Sequence, residues 1–329
     1  MVTAGIVLGG IPVYAESGSL PGFMSGENPE DSGRPMGGMK QGRGGNGPMG
    51  GVMNSEQDPE IQSVLDENAE KFEQFTFMDE ETGITLEYSL YIPEGYDGTE
   101  KYPLIMFIPD STGAGLNSSQ IVENYYGAAV WASEEDQEKH ASFVLVPAYT
   151  GTVTDDSWNA SEQLDATVNL IEALTQEYSI DTDRLYTTGQ SMGCMSSLYL
   201  NSKYPDLFAA SLYVSGQWDI SVLDVLENQT FFYVTAGGDE KASGGQDEVM
   251  ALFDNDGVPY SYGTWDAQLD EETQNANVQA LIDEGNTANM IRFETGTVLN
   301  GGNGMEHMAS FNYAYKLTSV RNWLFEQTK

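Results

Sequence analysis

The chain has 329 residues, of which 40% are hydrophobic, enough for a large domain with a sizeable core. Its 51 acidic and 13 basic residues give a formal charge of -38, which repels nucleic-acid phosphates and anionic lipid surfaces, so we expect neither nucleic acid nor a membrane as partner. With two histidines and one cysteine, a multi-histidine zinc site and an intramolecular disulfide are excluded.

The N-terminal part divides into two segments. An apolar stretch over residues 4–13 ends in the small-residue pattern VYA, so residues 1–15 are predicted as a signal peptide, with an ordinary N-terminal strand as the alternative. Residues 16–56 are rich in glycine, methionine and proline without apolar periodicity, which predicts a disordered linker. We therefore expect a secreted, extracellular protein whose folded domain covers residues 57–329.

Within residues 57–329, strand and helix patterns alternate. A short helix is predicted to begin at Asp58-Pro59, a hairpin pattern follows over residues 71–93, and the continuous apolar run LIMFI comes next. Further strands are predicted at 142–148, 184–189, 210–216, 230–237 and 290–296, and the longer helices at 161–178, 192–204, 247–255 and 310–327. The alternation predicts an α/β fold, with a mostly parallel central sheet, helices on both faces and an N-terminal antiparallel hairpin.

The stretch YTTGQSMGCMSS places Ser191 between Gly189 and Gly193. The preceding strand ends at Gly189 and a helix pattern begins at Met192, which is the strand, sharp turn and helix of a nucleophile elbow. The two glycines leave room for a serine in a strained backbone conformation. A structural glycine-rich turn is the alternative, and the context favours Ser191 as a nucleophile.

A serine nucleophile needs a general base, and the sequence offers two histidines. His140 lies in a strongly charged stretch before a strand, where we expect a surface residue. His307 lies in a glycine-rich loop between the last predicted strand and the terminal helix. Because the loops at the carboxyl ends of parallel strands carry the sites of such sheets, we predict His307 as the base.

A carboxylate must orient the imidazole of that base. Asp239 follows the strand at 230–237 in a glycine-rich loop that can approach His307, and it is the predicted acid. Asp219, after the intervening strand, is the second choice, followed by Glu240 and Asp247. The predicted catalytic residues are thus Ser191, Asp239 and His307.

From Lys101 to Phe325 the chain resembles the secreted esterase and predicted-peptidase branch of the α/β-hydrolase superfamily, related to feruloyl-esterase and polyhydroxybutyrate-depolymerase-like proteins. The motifs that carry the resemblance are YPLIMFIPDSTGAG, YYGAAVWA, FVLVPAY, YSIDTDRLYTTGQSMGCMS, YPDLFAASLYVSG, AGGDE and GMEHMAS. The chain order serine, aspartate, histidine is that of α/β-hydrolases. The resemblance implies the same three catalytic residues.

One motif departs from those relatives. They commonly read His-Gly-x-Gly after the third strand, where this chain reads Pro-Asp-Ser-Thr-Gly from Pro109. The oxyanion hole should combine the backbone N–H of Met192 with one from this loop. Pro109 has no N–H, so the second donor is Asp110 or Ser111, and the sequence leaves both open.

Two further predictions concern the loops. Trp158, Trp218 and Tyr149 are predicted to build a substrate pocket for an acyl group or a sugar. The long segment over residues 262–285 is predicted to lie over the site as a partial lid.

Together these residues predict an exported carboxylic ester hydrolase that works through an acyl-enzyme and without a cofactor. Its substrate would be a small-molecule or polysaccharide-linked ester. The alternatives are a serine peptidase on the same three residues, and a non-catalytic protein that binds carbohydrate or a surface.

Overall fold

A mixed β-sheet forms the centre of the computed structural model, which describes residues 6–7 and 58–329. Its ten strands are β1 (Ile6–Val7), β2 (Glu73–Met78), β3 (Thr85–Tyr91), β4 (Tyr102–Ile108), β5 (Phe143–Ala148), β6 (Ile180–Gln190), β7 (Ala210–Val214), β8 (Phe231–Ala236), β9 (Ser261–Trp265) and β10 (Ala288–Phe293). They lie in the order β1-β2-β3-β5-β4-β6-β7-β8-β10-β9.

The sheet changes direction only near its first edge. β2 pairs antiparallel with β1 and β3, and β3 pairs antiparallel with β5. All pairs from β5 through β4, β6, β7, β8 and β10 to β9 are parallel. The predicted fold class, a mostly parallel sheet with an antiparallel hairpin before it, is confirmed.

Helices cover both faces, because successive side chains of each central strand point in opposite directions. Ile105 and Phe107 of β4 pack in one core layer, and Leu104, Met106 and Ile108 pack in another on the opposite face. The helices are α1 (Pro59–Asn68), α2 (Ser118–Asn124), α3 (Tyr126–Ala129), α4 (Glu134–Lys139), α5 (Gln163–Glu177), α6 (Met192–Lys203), α7 (Glu240–Asp256), α8 (Glu271–Asp283), α9 (Glu306–Lys316) and α10 (Thr318–Phe325). Buried residues of α2, α3, α8, α9 and α10 belong to the first layer, and those of α5, with Met192 and Leu200 of α6, belong to the second.

Some elements differ from the sequence-based expectation. Residues 262–285 are not a lid: they contribute β9, an edge strand of the sheet, and α8, which packs on β9 and α10. The predicted terminal helix is two helices that meet at Leu317. Helix α7 begins at Glu240 rather than at 247. Its first turns contain Gly244 and Gly245, and the low helix propensity of glycine explains why the sequence pattern does not predict these turns as helix.

The predicted signal peptide and linker lie outside the described residues, apart from Ile6 and Val7, whose backbone pairs with β2. Both stay predictions. In the part of the chain that the structure describes, no helix has the length and apolar character needed to cross a membrane.

A buried ion pair joins α4 to the C-terminal helices. Arg321 of α10 binds both carboxylate oxygens of Asp136, at 2.8 and 3.0 Å, and the exposed fractions of the two residues are 4% and 2%. The guanidinium also donates to the carbonyl of Tyr315, near the end of α9. Since His307 is the second residue of α9, this pair fixes the helix that carries the predicted base.

We expect Asp136→Ala to lower the free energy of unfolding by about 3–5 kcal/mol, because it leaves the buried Arg321 charge without its partner. Denaturant unfolding measures this loss. Glu135→Ala is the matched control in the same helix, since its pair with Lys139 leaves side chains 58% and 43% exposed. The control should lose at most about 1 kcal/mol. Equal stability of the two variants would contradict the assignment.

Candidate active site

The predicted site residues lie at one edge of the sheet. β4, β6, β8 and β10 run parallel, so their carboxyl ends share that edge. The loop after β4 carries Asp110 and Ser111, the turn after β6 carries Ser191, and the loop after β8 carries Asp239. His307 lies at the start of α9, after β10. This is the edge at which open α/β sheets bind their ligands.

The turn that carries Ser191 is tight and strained. Ser191 has φ 51° and ψ -113°, a backbone conformation that residues other than glycine rarely adopt. Its N–H donates to the carbonyl of Val214 at 2.9 Å. A Cβ on Gly193 would lie 1.9 Å from the carbonyl oxygen of Ile108, and one on Gly189 would lie 2.4 Å from the carbonyl carbon of Gly193. Both positions therefore need glycine for steric reasons.

Three side chains form a continuous line of hydrogen bonds. Ser191 Oγ lies 2.8 Å from His307 Nε2, and His307 Nδ1 lies 2.5 Å from Asp239 Oδ2. Asp239 is 7% exposed and also caps α7, since its other oxygen accepts the N–H of Ala242 at 3.3 Å. With the Nδ1 proton directed at the carboxylate, the Nε2 lone pair faces the serine hydroxyl. This arrangement can remove a proton from Ser191.

The other candidates of the sequence analysis lie elsewhere. His140 contacts Asn322 at 3.2 Å and stacks on Phe325. Asp219 accepts the N–H of Ser221, Asp247 pairs with Arg292, and Glu240 is the first residue of α7. The structure thus brings Asp239, and none of its three competitors, into contact with His307.

The loop after β4 meets the start of α6. The N–H of Met192, the first residue of α6, has no intrahelical acceptor. In the loop, the N–H of Thr112 donates to the Asp110 carboxylate and the N–H of Gly113 donates to the Asp110 carbonyl. The N–H groups of Asp110 and Ser111 are left as the candidate second donors, as the sequence analysis expects.

The Asp110 side chain does not obstruct this place, because it is 3% exposed and points into the protein. Its carboxylate accepts hydrogen bonds from Gln190, Thr112 and Tyr125. Burial, and then the nearby Asp110 charge, raises the pKa of Tyr125 well above its ordinary value, so that hydroxyl stays protonated and can donate. Where the relatives commonly have a glycine-containing loop, this chain has a loop held by a carboxylate that accepts several hydrogen bonds.

Glu306 is a site residue that the sequence analysis missed. Its carboxylate accepts the N–H of Gly238 at 3.0 Å and the N–H of Gly296 at 2.8 Å. It therefore joins the loop of Asp239 and the loop after β10 to the residue beside His307. The one signal in the sequence was its position directly before the predicted base.

The aromatic residues predicted to contact substrate take different places. Trp158 is 41% exposed and packs edge-on against Trp218, with 5.6 Å between ring centroids. Trp218 is 4% exposed and packs on Tyr199 as well, so it supports Trp158 from behind. Tyr149 is 2% exposed and its hydroxyl contacts Thr167 at 3.1 Å. The predictions for Trp218 and Tyr149 need correction: both rings are buried in the core and offer almost no surface to a substrate.

A sheet of this strand order, with a serine on a strand-turn-helix elbow at its carboxyl edge, defines an α/β-hydrolase. The Esterase family model, described as "Putative esterase", matches residues 80–300. The chain belongs to this esterase family.

Curated relatives and a solved structure resemble the chain over different lengths. "Probable acetylxylan esterase A" of Aspergillus flavus is 30% identical over 100 residues, covering 28% of this chain and 32% of the relative. "Acetylxylan esterase A" of Aspergillus ficuum is 26% identical over 148 residues, covering 43% of this chain and 45% of the relative. The chain thus spans less than half the length of these relatives. A "Thermostable Esterase" crystal structure is 26% identical, with a TM-score of 0.59 over 79% of this chain and 64% of that one.

We expect Gly238→Ala to slow the labelling of Ser191 by a fluorophosphonate about 10- to 100-fold, because small displacements of a catalytic group are costly. The new Cβ would lie 2.0 Å from Glu306 Oε1, so this carboxylate must shift relative to the two N–H groups from which it accepts.

Gly244→Ala in α7 is the matched control, since a Cβ there meets nothing within 4 Å. It should label at the wild-type rate and be about 0.5–1 kcal/mol more stable, the usual gain of alanine over glycine in a helix. Normal labelling of a folded Gly238→Ala protein would show that the Glu306 contacts do not position the site.

Proposed function

We propose that this protein is a carboxylic ester hydrolase that works through an acyl-enzyme on Ser191. The observation that carries the proposal is the line of hydrogen bonds from Ser191 through His307 to Asp239, at the first turn of α6. Membership of the esterase family supports the same reaction.

The reaction follows from the geometry. As Ser191 Oγ attacks the ester carbonyl, His307 Nε2 takes its proton, and the buried Asp239 carboxylate stabilises the imidazolium that forms. The N–H of Met192, together with that of Asp110 or Ser111, donates to the oxyanion of the tetrahedral intermediate. The imidazolium then protonates the departing alcohol. A water, deprotonated by the same nitrogen, cleaves the acyl-enzyme and restores Ser191.

As substrates we propose esters attached to plant-type polysaccharides, with acetyl as the first acyl group to test. The named relatives are acetylxylan esterases, and this chain exposes Trp158, a flat apolar surface suited to a sugar or aromatic ring. The Trp158 loop is anchored beside the nucleophile, since Thr154 Oγ1 donates to the carbonyl of Met192 at 3.0 Å. Export of the protein, which would bring it to such polymers, rests on the signal peptide predicted at residues 1–15.

We expect His307→Gln to lower kcat by several orders of magnitude, as removal of a triad member does in other enzymes. In the wild type, kcat/KM should fall on acidification, because a protonated imidazole cannot accept the serine proton. Steady-state hydrolysis of a soluble acetyl ester measures both effects. In parallel, a fluorophosphonate should label Ser191 in the wild type and fail to label it in the variant.

His140→Gln is the control, because His140 lies in contact with α10 and outside the site. It should retain wild-type kinetics, and circular dichroism should show that both variants are folded. Near-normal turnover by a folded His307→Gln protein would overturn the proposed base.

We further expect hydrolysis of acetylated xylan oligosaccharides and no cleavage of peptides with matched acyl groups. The measurement is product release from paired ester and amide substrates. Peptide cleavage at a comparable rate would favour a serine peptidase, and binding of the oligosaccharide without turnover would favour a carbohydrate-binding protein. Either result would contradict the proposal that the protein acts as an ester hydrolase.

A further inference from the structure

We infer that Asp110 and Gln190 form a buried clamp that sets the distance between the two halves of the oxyanion hole. Asp110 belongs to the loop after β4, and Gln190 is the last residue of β6, directly before Ser191. The inference rests on the proposed function, and it assigns both side chains as positioning residues rather than catalytic ones.

The clamp is a single buried hydrogen bond between the two segments. Gln190 Nε2 donates to Asp110 Oδ2 at 2.9 Å, and the exposed fractions are 4% for Gln190 and 3% for Asp110. Removed from water, such a bond to a charged acceptor is stronger than a bond between neutral groups. Its loss would leave a buried carboxylate oxygen without a donor.

The other carboxylate oxygen organises the loop itself. Asp110 Oδ1 accepts from the backbone N–H of Thr112 at 2.8 Å, from the Thr112 hydroxyl at 2.5 Å and from the Tyr125 hydroxyl at 3.3 Å. Among the described residues, no lysine, arginine or histidine pairs with Asp110. Its charge is therefore balanced by neutral donors alone, which makes the position of the carboxylate depend on all of them.

Both ends of the clamp adjoin an oxyanion donor. Asp110 carries one candidate N–H itself and precedes Ser111, which carries the other. Gln190 stands two residues before Met192, whose N–H opens α6. Both donors must lie within hydrogen-bonding distance of the same developing oxyanion. The bond between the two side chains fixes the distance between these donors.

We expect Gln190→Met to lower kcat about 10- to 100-fold while KM changes by less than about threefold. Methionine keeps the approximate volume but removes the donor, and loss of a whole oxyanion donor costs about 100- to 1000-fold in kcat. An interaction that acts mainly in the transition state appears in kcat rather than in KM.

Gln229→Met is the matched control. Gln229 is 9% exposed and donates to the carbonyls of Asn201 and Pro205, near the end of α6 that lies farthest from Ser191. Both methionine variants should lose comparable stability in thermal unfolding, but only Gln190→Met should lose kcat.

A second carboxyl in the clamp gives a pH-dependent readout, and an exchange of the amide and the carboxyl should remove it. Gln190→Glu places a second carboxyl against Asp110, and two buried carboxyls in contact share one proton until a higher pH removes it and sets two negative charges against each other. Its kcat should therefore fall as the pH rises, over a range in which the wild type is steady. The double variant Asp110→Asn with Gln190→Glu restores one carboxylate facing one amide, and it should remove this pH dependence and recover most of the wild-type kcat.

The wild-type protein separates this inference from the function on which it rests. A wild type whose Ser191 is not labelled by a fluorophosphonate, and which hydrolyses no ester, overturns both. A labelled, active wild type overturns only the clamp if kcat of Gln190→Met stays within about twofold, or if the double variant shows no recovery over Gln190→Glu. A loss confined to kcat, together with recovery in the double variant, supports it.

Discussion

The chain brings the first turn of α6 so close to the end of β4 that residue 193 has no room for a Cβ against the carbonyl of Ile108. This approach holds Ser191 in its strained turn between strand and helix. It also places the N–H of Met192 beside the loop that follows β4. Ser191 and the candidate oxyanion donors are thus set by one backbone contact, and glycine is the residue that permits it.

Two carboxylates outside the proposed triad hold the parts of the site together. Asp110 joins the loop after β4 to the residue before Ser191, and Glu306 joins the loops after β8 and β10 beside His307. Each accepts from two separate segments, which a carboxylate can do because it offers two oxygens. Asp110 lies on the side of the candidate oxyanion donors, and Glu306 lies on the side of His307.

Local features of the sequence predict part of the fold and of the candidate site. The strand alternation gave the fold class, and the glycine spacing marked the turn of Ser191. His307 stood out because the chain has only two histidines. Asp239 could be preferred from its place after a strand, although 51 acidic residues make such positions common. The catalytic roles of these residues stay predictions.

What could not be predicted depends on contacts between distant parts of the chain. The roles of Asp110 and Glu306 require partners that only the folded sheet brings near. Tyr149 reads like any loop aromatic until its burial is known, and β9 is a five-residue edge strand interrupted by Gly263. Burial and pairing are tertiary properties, and patterns along the chain carry them weakly.

The position of β9 at the edge of the sheet determines where the chain can take up insertions or deletions. In the chain, β9 and α8 fall between Asp239 and His307, yet in space β10 lies directly beside β8 and β9 lies outside both. The loop that carries Asp239 and the loop before His307 are neighbours because of that order. Additions or deletions in the loops of the β9–α8 segment would alter the edge of the sheet and leave these two loops side by side.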